Sequence, residues 1–197
     1  MSHHIYTTPG FVIGSRPHGE GGKILFIFSA ELGHVSAIAQ GIRLSKSKLR
    51  YHAQDYALAN FSLVRGKDFW RIVGAEAAGA LEISTGMPAA YALRVRIFSV
   101  LSRLLQGEEK NAPLFDTVTA AYHFLSLPEA QDFIAPAEPI IMLRILNHLG
   151  YVRNVPELAP FLADNALNSE LFTAFSAPGV RAQAIKEINT ALKESHL

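Results

Sequence analysis

The stretch RPHGEGGKILFIFSAELGHVSAIAQGIRLSKSKLR, residues 16–50, decides the fold of the first half of this chain. Its segments 23–31 and 33–41 are short and apolar, and glycine or charged residues separate them, which indicates two neighbouring strands. The glycine cluster at 19–22 predicts the turn that leads into the first of them from an earlier strand. The stretch therefore predicts consecutive strands joined by tight turns.

Outward from this stretch the same pattern continues. Three more segments, rich in β-branched and aromatic residues, read as strands: 5–16, 56–66 and 68–76. Five strands in so few residues favour a small closed sheet, because closure removes exposed strand edges. Within the last segment, alternation predicts Trp70 and Ile72 on one face and Arg71 on the other.

The second half of the chain has a helical period. Helices are predicted over 88–105, 113–127 and 138–150, with shorter ones at 155–165 and 168–177 and a last one from 178. The segment 88–105 is apolar nearly all round, which is typical of a central buried helix. The change of period predicts an α+β protein with a domain at 1–78 and a helical domain at 79–197.

Two helices have faces that the sequence specifies. The helix over 138–150 has Pro139 near its start, Gly150 after its end and a polar stripe of Arg144, Asn147 and His148. In the last helix Ile185, Ile188 and Leu192 fall on one face, which predicts that this face is buried.

Composition excludes several classes of protein. Apolar residues make up 49% of the 197 residues, which is typical of a globular chain, and the absence of cysteine excludes disulfides, cysteine-ligated zinc and thiol catalysis. The start MSHHIYTTPG has no basic segment followed by an apolar run, so no secretion signal is visible. Three arginines make the apolar segment 88–105 a poor membrane span. We therefore expect a cytoplasmic protein.

The glycine cluster does not match a nucleotide-binding loop. Such a loop has a glycine five positions before Gly-Lys-Ser/Thr, whereas here Pro17 holds that position and Ile24 follows Lys23. His18 and Glu20 form a thinkable acid–base pair, but a hairpin turn is the commoner place for such residues. No other pattern of nucleophile, base or metal ligands is present, so we expect no enzymatic activity.

The cations of the first half indicate a nucleic-acid surface. Residues 1–76 carry nine Lys and Arg against five Asp and Glu, while residues 77–197 carry nine against twelve. If residues 46–51 are extended, Lys46, Lys48 and Arg50 share one face and could follow a phosphate backbone. Further candidate phosphate ligands on the same barrel are Lys23, Arg43, Arg65, Lys67 and Arg71.

Aromatic residues are the second requirement for binding single strands, because bases stack on them. Phe26, Phe28, Phe61 and Trp70 lie in the most apolar strands and are predicted to be core residues. The better stacking candidates are Tyr51, Tyr56 and Phe69.

The segment 19–49 resembles the N-terminal signature of the RecO family of DNA-repair proteins. That signature runs Gly-Glu, a basic residue, a strand ending Phe-Ser/Thr, Glu-x-Gly, and a glycine before a basic run with Lys-Ser. Its positions here are Gly19, Glu20, Lys23, Phe28, Ser29, Glu31, Gly33, Gly41, Arg43, Lys46 and Ser47. Residues 61–76 look like the segment that closes the family's barrel, and 138–158 looks like its helix ending Leu-Gly-Tyr.

The resemblance implies a five-stranded OB-fold barrel followed by an all-helical domain. It implies a recombination mediator that binds single- and double-stranded DNA, anneals complementary strands and catalyses no reaction. It also implies RecR and the acidic tail of single-stranded-DNA-binding protein as partners, with RecA loaded indirectly, and a cytoplasmic, nucleoid-associated location. Candidate residues for the tail are Arg94, Arg96, Arg103, Arg144 and Arg153.

One departure from the family concerns its metal. Many members carry a four-cysteine zinc site after the Leu-Gly-Tyr helix, but this chain has VRNVPELAPFLADN there, so we expect no cofactor and local packing in its place. Two alternatives to a mediator remain from the sequence. One is an OB-fold RNA-binding or ribosome-associated factor, and the other is a protein-interaction scaffold.

Overall fold

A computed structural model of the chain describes residues 4–78 and 87–195. The chain divides into two compact units, Met1–Ala80 with Phe98–Ala112, and Leu81–Ile97 with Pro113–Leu197. The predicted domain boundary after residue 78 stays a prediction, because the segment 79–86 that follows it lies outside the described residues.

The first unit is built on a closed barrel. Its strands are β1 Ile5–His18, β2 Gly22–Ser29, β3 Gly33–Ala39, β4 Leu58–Arg65 and β5 Trp70–Ala77. They follow one another around the barrel as β1-β2-β3-β5-β4. All neighbours are antiparallel except β3 and β5, which run parallel. This five-stranded barrel and the helices that follow it confirm the predicted α+β class with an OB-fold.

The long strand β1 closes the barrel. Its first half pairs with β4 and its second half with β2. The register with β2 shifts between Val12 and Gly14, and such a bulge bends a strand sharply enough to serve two neighbours.

Alternation sorts the side chains of the barrel as predicted. Trp70 and Ile72 are buried, while Arg71 between them is exposed. The interior also contains Val12, Leu25, Ile27, Val35, Phe61 and Leu63. Burying side chains of this size stabilises a fold by about 1.5 to 3 kcal/mol each, so this interior fixes the register of the surface residues.

A short helix, residues 49–52, and the segment 105–111 complete this unit. Helix α1, Leu49–His52, lies between β3 and β4. Residues 105–111, here termed the strap, bind the barrel through Lys110 Nζ, which lies 2.7 Å from Glu31 Oε2, and through the Gly107 carbonyl, which accepts from the His34 N–H at 3.2 Å. Gly33 has φ 66° beneath the strap, and a Cβ there would collide with the backbone of Glu109. Neither α1 nor the strap was predicted.

The remaining helices are α2 Pro88–Leu104, α3 Ala112–Phe124, α4 Ile134–His148, α5 Ala159–Leu162, α6 Ser169–Phe175 and α7 Pro178–Glu194, with 3₁₀ turns at Pro128–Phe133 and Pro156–Leu158. No helix in residues 4–78 or 87–195 is long and apolar enough to cross a membrane.

Three expectations for these helices are wrong. Helix α2 has one buried stripe, at Ala90, Leu93, Arg94, Ile97, Phe98, Leu101 and Leu104, and an exposed face, so it is amphipathic. Helix α4 is the more enclosed one, and it begins four residues earlier than predicted, so Pro139 lies inside it. In α7 the buried residues are Ala184 and Ala191, whereas Ile185 is 41% exposed.

Candidate nucleic-acid interface

The segment between β3 and α1 carries most of the predicted phosphate ligands. We call residues 40–48 the basic loop. Gly41, at φ 68°, starts a turn that a residue with a Cβ adopts at a cost. The loop then folds back on the β1–β2 turn, because the Arg43 N–H donates to the Gly21 carbonyl at 3.0 Å and the Leu44 side chain lies against Gly21.

This geometry corrects the expected row of cations. Residues 46–51 are not an extended strand: Lys46 lies in a turn, Lys48 is the helical N-cap of α1 and Arg50 lies within α1. The alternation argument fails because local backbone hydrogen bonds close turns here: the N–H groups of Leu44, Ser47 and Tyr51 donate to the carbonyls of Gly41, Leu44 and Lys48. All three side chains are nevertheless exposed.

The other predicted ligands are distributed over the same unit. Arg43, Arg65, Lys67 and Arg71 are exposed. Lys23 is half-buried, and its Nζ donates to Ser15 Oγ at 3.2 Å. Among the described residues, only Arg65 of the eight predicted ligands forms an ion pair, and the other seven have no carboxylate partner.

Three of these cations meet in one cleft. The basic cleft is lined by Lys23, Ile42, Arg43, Arg50, Ala53, Gln54 and Asp55, and its volume is about 390 Å³. Ile42 and Ala53 are buried and form its apolar floor. The cleft joins β2, the basic loop and α1, which are distant in sequence.

A second cleft, of about 610 Å³, is lined by the glycine turn itself. It is lined by residues 18–22 and 40–41 together with Ile38, Leu44 and Arg71. His18, the last residue of β1, and Glu20, in the predicted turn between β1 and β2, both line it. Arg71 is its one guanidinium, and Leu44 is 60% exposed beside it.

Arg65 has a different environment from the other cations. Its Nη1 donates to Glu108 Oε2 at 2.8 Å, and its guanidinium carbon lies 5.3 Å from the centre of the Trp70 ring. The second oxygen of Glu108 accepts from Trp70 Nε1 at 2.8 Å. The strap therefore neutralises this cation, which the sequence could not indicate because Glu108 lies 43 residues away.

Arg16 is a candidate that the sequence argument missed. It is exposed on β1 and lies opposite Ile24 on β2. Ile24 lies opposite Ile38 on β3, and Ile38 lies opposite Arg71 on β5. Residues opposite one another point to the same face, so Arg16 and Arg71 project outward from one row across the barrel. The sequence contained a signal for this residue, because Arg16 and Lys23 lie on the two sides of the predicted turn at 19–22.

The aromatic residues separate into core and surface. Phe28, Phe61 and Trp70 are buried as predicted, while Phe26 is half-buried. Of the stacking candidates, Tyr51 is 70% exposed, next to Arg50. The ring of Tyr56 stacks on that of Phe98, with 5.8 Å between the ring centres and 7° between the ring planes, so it packs within the protein. Phe69 is half-buried.

The five arginines proposed for an acidic tail have unlike surroundings. Arg96 makes a two-pronged pair with Glu138, at 2.6 and 2.9 Å, and Arg153 pairs with Glu194 at 2.6 Å. Arg103 is exposed and forms no ion pair with another described residue.

Arg94 is buried instead of exposed. Its guanidinium carbon lies 4.1 Å from the centre of the Tyr122 ring, and Nη2 lies 3.5 Å from Ser126 Oγ. Burial lowers the pKa of Arg94, and Tyr122 partly offsets that shift. This arginine is a packed component of the helical unit.

Arg144 is also buried, so the expected polar stripe on α4 is wrong. Its Nε donates to the Phe161 carbonyl at 2.7 Å and its Nη1 to the Ala166 carbonyl at 3.0 Å. Asp164 lies 3.8 Å from Nη2, and burial lowers the pKa of the guanidinium while Asp164 raises it. One buried cation thus holds both ends of segment 161–166. This segment overlaps the stretch after the Leu-Gly-Tyr helix where the resemblance places a zinc site in many family members.

Other contacts reinforce that segment. Thr117 Oγ1 donates to Asn165 Oδ1 at 2.7 Å, and Phe161 packs edge-on against Phe175. Within the described parts of the chain, no three His, Asp or Glu side chains are grouped as metal ligands.

The chain was compared with known proteins. Residues 1–80 match the family described as Recombination protein O N terminal. A DNA repair protein RecO of Heliobacterium modesticaldum is 28% identical over 155 residues, which cover 79% of this chain and 54% of the relative. One of Chlorobium phaeobacteroides is 27% identical over 196 residues, which cover 93% of this chain and 73% of the relative.

A third relative, the DNA repair protein RecO of Desulfitobacterium hafniense, is 28% identical over 158 residues, which cover 79% of this chain and 55% of the relative. The chain spans about half the length of the first and third relatives. These matches confirm the resemblance to the RecO family that the sequence predicted.

Proposed function

On the premise of the RecO family, we propose that this chain is a DNA-binding recombination mediator in recombinational DNA repair. It binds single and double strands through the barrel, anneals complementary strands, and helps to load RecA onto DNA coated by single-stranded-DNA-binding protein. The observation that carries the proposal is the set of seven barrel cations that form no ion pair with a described carboxylate, three of which share the basic cleft.

Annealing follows from these charges without any chemical step. Two DNA strands repel each other through their phosphates, and a surface of Lys and Arg releases their counterions and lowers that repulsion. Cations that bind only phosphates leave the base edges free to pair. Tyr51, exposed beside Arg50, adds one stacking contact without base specificity.

The partner proteins are part of the proposal. RecR is a proposed partner. The acidic tail of single-stranded-DNA-binding protein needs exposed guanidinium groups, which Arg96, Arg103 and Arg153 offer, although Arg96 and Arg153 would have to leave Glu138 and Glu194. Arg103 is the tail ligand that needs no such exchange.

The test reverses the charges of the basic loop and α1. In the variant Lys46→Glu, Lys48→Glu, Arg50→Glu, we expect weaker binding of single-stranded DNA and slower annealing. The slope of log affinity against log salt should fall by about two, since each single-strand phosphate contact contributes about 0.7. Fluorescence anisotropy over a salt series measures both quantities.

The matched control makes the same change of net charge on α7. Arg181, Lys186 and Lys193 are exposed and form no ion pair with another described residue, so Arg181→Glu, Lys186→Glu, Lys193→Glu should leave affinity and slope nearly unchanged. Equal losses in both variants would show that only net charge matters and would refute this surface. Tighter binding of RNA than of DNA would instead favour an RNA-binding factor, and binding of neither at low salt a scaffold.

A further inference from the structure

The basic cleft differs from the rest of the cationic surface in shape and in charge. Lys23 enters it from β2, Arg43 from the basic loop and Arg50 from α1. We infer that this cleft is a phosphate-monoester site, which takes the terminal phosphate of a DNA strand in preference to an internal phosphodiester. The inference rests on the proposed function and specifies which part of the DNA the cleft recognises.

The charges of the cleft match a monoester. Three cations and Asp55 give the lining a net charge of +2. A phosphate monoester carries about −1.5 to −2 at pH 7, whereas each internal phosphodiester carries a single charge. The three cations form no ion pair with a carboxylate of the described residues, so their charge is available to a ligand.

The shape of the cleft favours a strand end. Its volume of about 390 Å³ lies in the range of small-ligand sites, and its floor is the buried pair Ile42 and Ala53. A terminal phosphate can enter such a concave site alone, but an internal phosphate must bring the chain in and out again. The apolar floor also lowers the local dielectric, which strengthens the attraction between phosphate and cation.

One of the three cations is already positioned. Lys23 is half-buried and its Nζ donates to Ser15 Oγ at 3.2 Å, so little side-chain freedom remains to be lost on binding. Lys46, Lys48 and Lys67 do not line this cleft. Their exposed side chains are placed to contact the backbone of the strand, while the cleft contacts its end.

The experiment compares two short single strands of one sequence that differ in a single group. One has a 5′-phosphate and the other a 5′-hydroxyl, and both carry a 3′ fluorophore for anisotropy. The protein should bind the phosphorylated strand about three- to fivefold more tightly, the effect of one further charge contact in a partly exposed site. The same comparison with a 3′-phosphate and a 5′ label determines which end fits.

Two matched variants remove one cation each. Arg50→Gln removes a cleft residue and should bring the affinity ratio of the two strands to about one. Lys48→Gln removes an exposed charge two residues away, and it should weaken binding of both strands while the ratio is kept. Loss of the ratio in both variants, or its persistence in Arg50→Gln, would overturn the assignment to this cleft.

The inference and the proposed function fail in different ways. If both strands bind with equal affinity in every arm, the inference is overturned and DNA binding stands. If neither strand binds, the proposed function fails, and phosphorus NMR with thymidine 5′-monophosphate decides the cleft: a shift that Arg50→Gln removes supports a monoester site, and no shift overturns it. Thymidine monophosphate that binds as tightly as the phosphorylated strand would assign the cleft to free nucleotides and overturn the strand-end assignment.

Discussion

Replacing Arg144 by methionine tests whether one buried guanidinium holds segment 161–166 in place. Methionine keeps most of the side-chain volume and removes both hydrogen bonds to the carbonyls of Phe161 and Ala166. The fully buried bond leaves an unpaired acceptor that costs about 1 to 3 kcal/mol. The Ala166 bond is partly exposed, so water can replace it at a cost of about 0.5 to 1 kcal/mol.

Loss of the buried charge works in the opposite direction. Burial destabilises the charged form of Arg144, and Asp164 at 3.8 Å compensates only in part because its own side chain is 70% exposed. We therefore expect a net loss of about 1 to 3 kcal/mol in the local opening free energy of this segment. Hydrogen exchange of the amides of residues 158–168 measures that opening directly, and thermal unfolding measures its global effect.

Arg96→Met is the matched control for this prediction. It makes the same chemical change on an arginine whose side chain is 48% exposed and whose partner Glu138 is 34% exposed. Exposed pairs contribute about 0 to 1 kcal/mol, so amide protection and the melting temperature should change little. If Arg144→Met is no more destabilising than Arg96→Met, the carbonyl contacts do not hold the segment and the reasoning is refuted.

Two further predictions concern the strap. Glu108→Gln keeps an acceptor for Trp70 Nε1 and releases Arg65. The affinity for single-stranded DNA at low salt, measured by anisotropy, should therefore rise about two- to fourfold, the size of an exposed ion pair. An equal rise in Glu109→Gln, which makes the same charge change at the next residue, would contradict this. Burial lowers the pKa of His34 below its ordinary value, so the unfolded chain binds more protons in acid than the folded chain does. The free energy of unfolding is therefore unaffected by His34 above pH about 6.5 and falls as the pH drops below that value. Urea unfolding from pH 5.5 to 7.5 should show a shallower dependence in His34→Gln, and an unchanged dependence would sink this explanation.

The barrel could be predicted because its strands carry their own signal. Trp70, Arg71 and Ile72 alternate between interior and solvent as their sequence does, and the glycine cluster at 19–22 marks the first turn. A period of two is local information, so it survives folding without knowledge of the neighbours. The same holds for the positions of the long helices, although not for which of their faces is buried.

The geometry of the cations could not be predicted because contacts distant in sequence decide it. Arg43 is placed by a hydrogen bond to Gly21, Arg65 is neutralised by Glu108, and Arg144 is drawn inward by carbonyls 17 and 22 residues away. A sequence window assigns arginine to the surface because that is its usual place. Burial of this residue type requires partners that only the folded chain brings together.

The distribution of carboxylates bears on the DNA binding proposed for the barrel. Among the described residues, the strap makes two ion pairs with the barrel. The pair Arg65–Glu108 involves a predicted phosphate ligand, and the other joins Lys110 to Glu31. The basic loop and α1 contain no acidic residue, and the acid at the basic cleft is Asp55. Cations that form no ion pair with another described residue repel one another in the folded state, and bound phosphates would remove that cost. In the part of the chain that the structure describes, seven such predicted phosphate ligands lie in the barrel unit, a property that stability does not require and that the proposed polynucleotide binding uses.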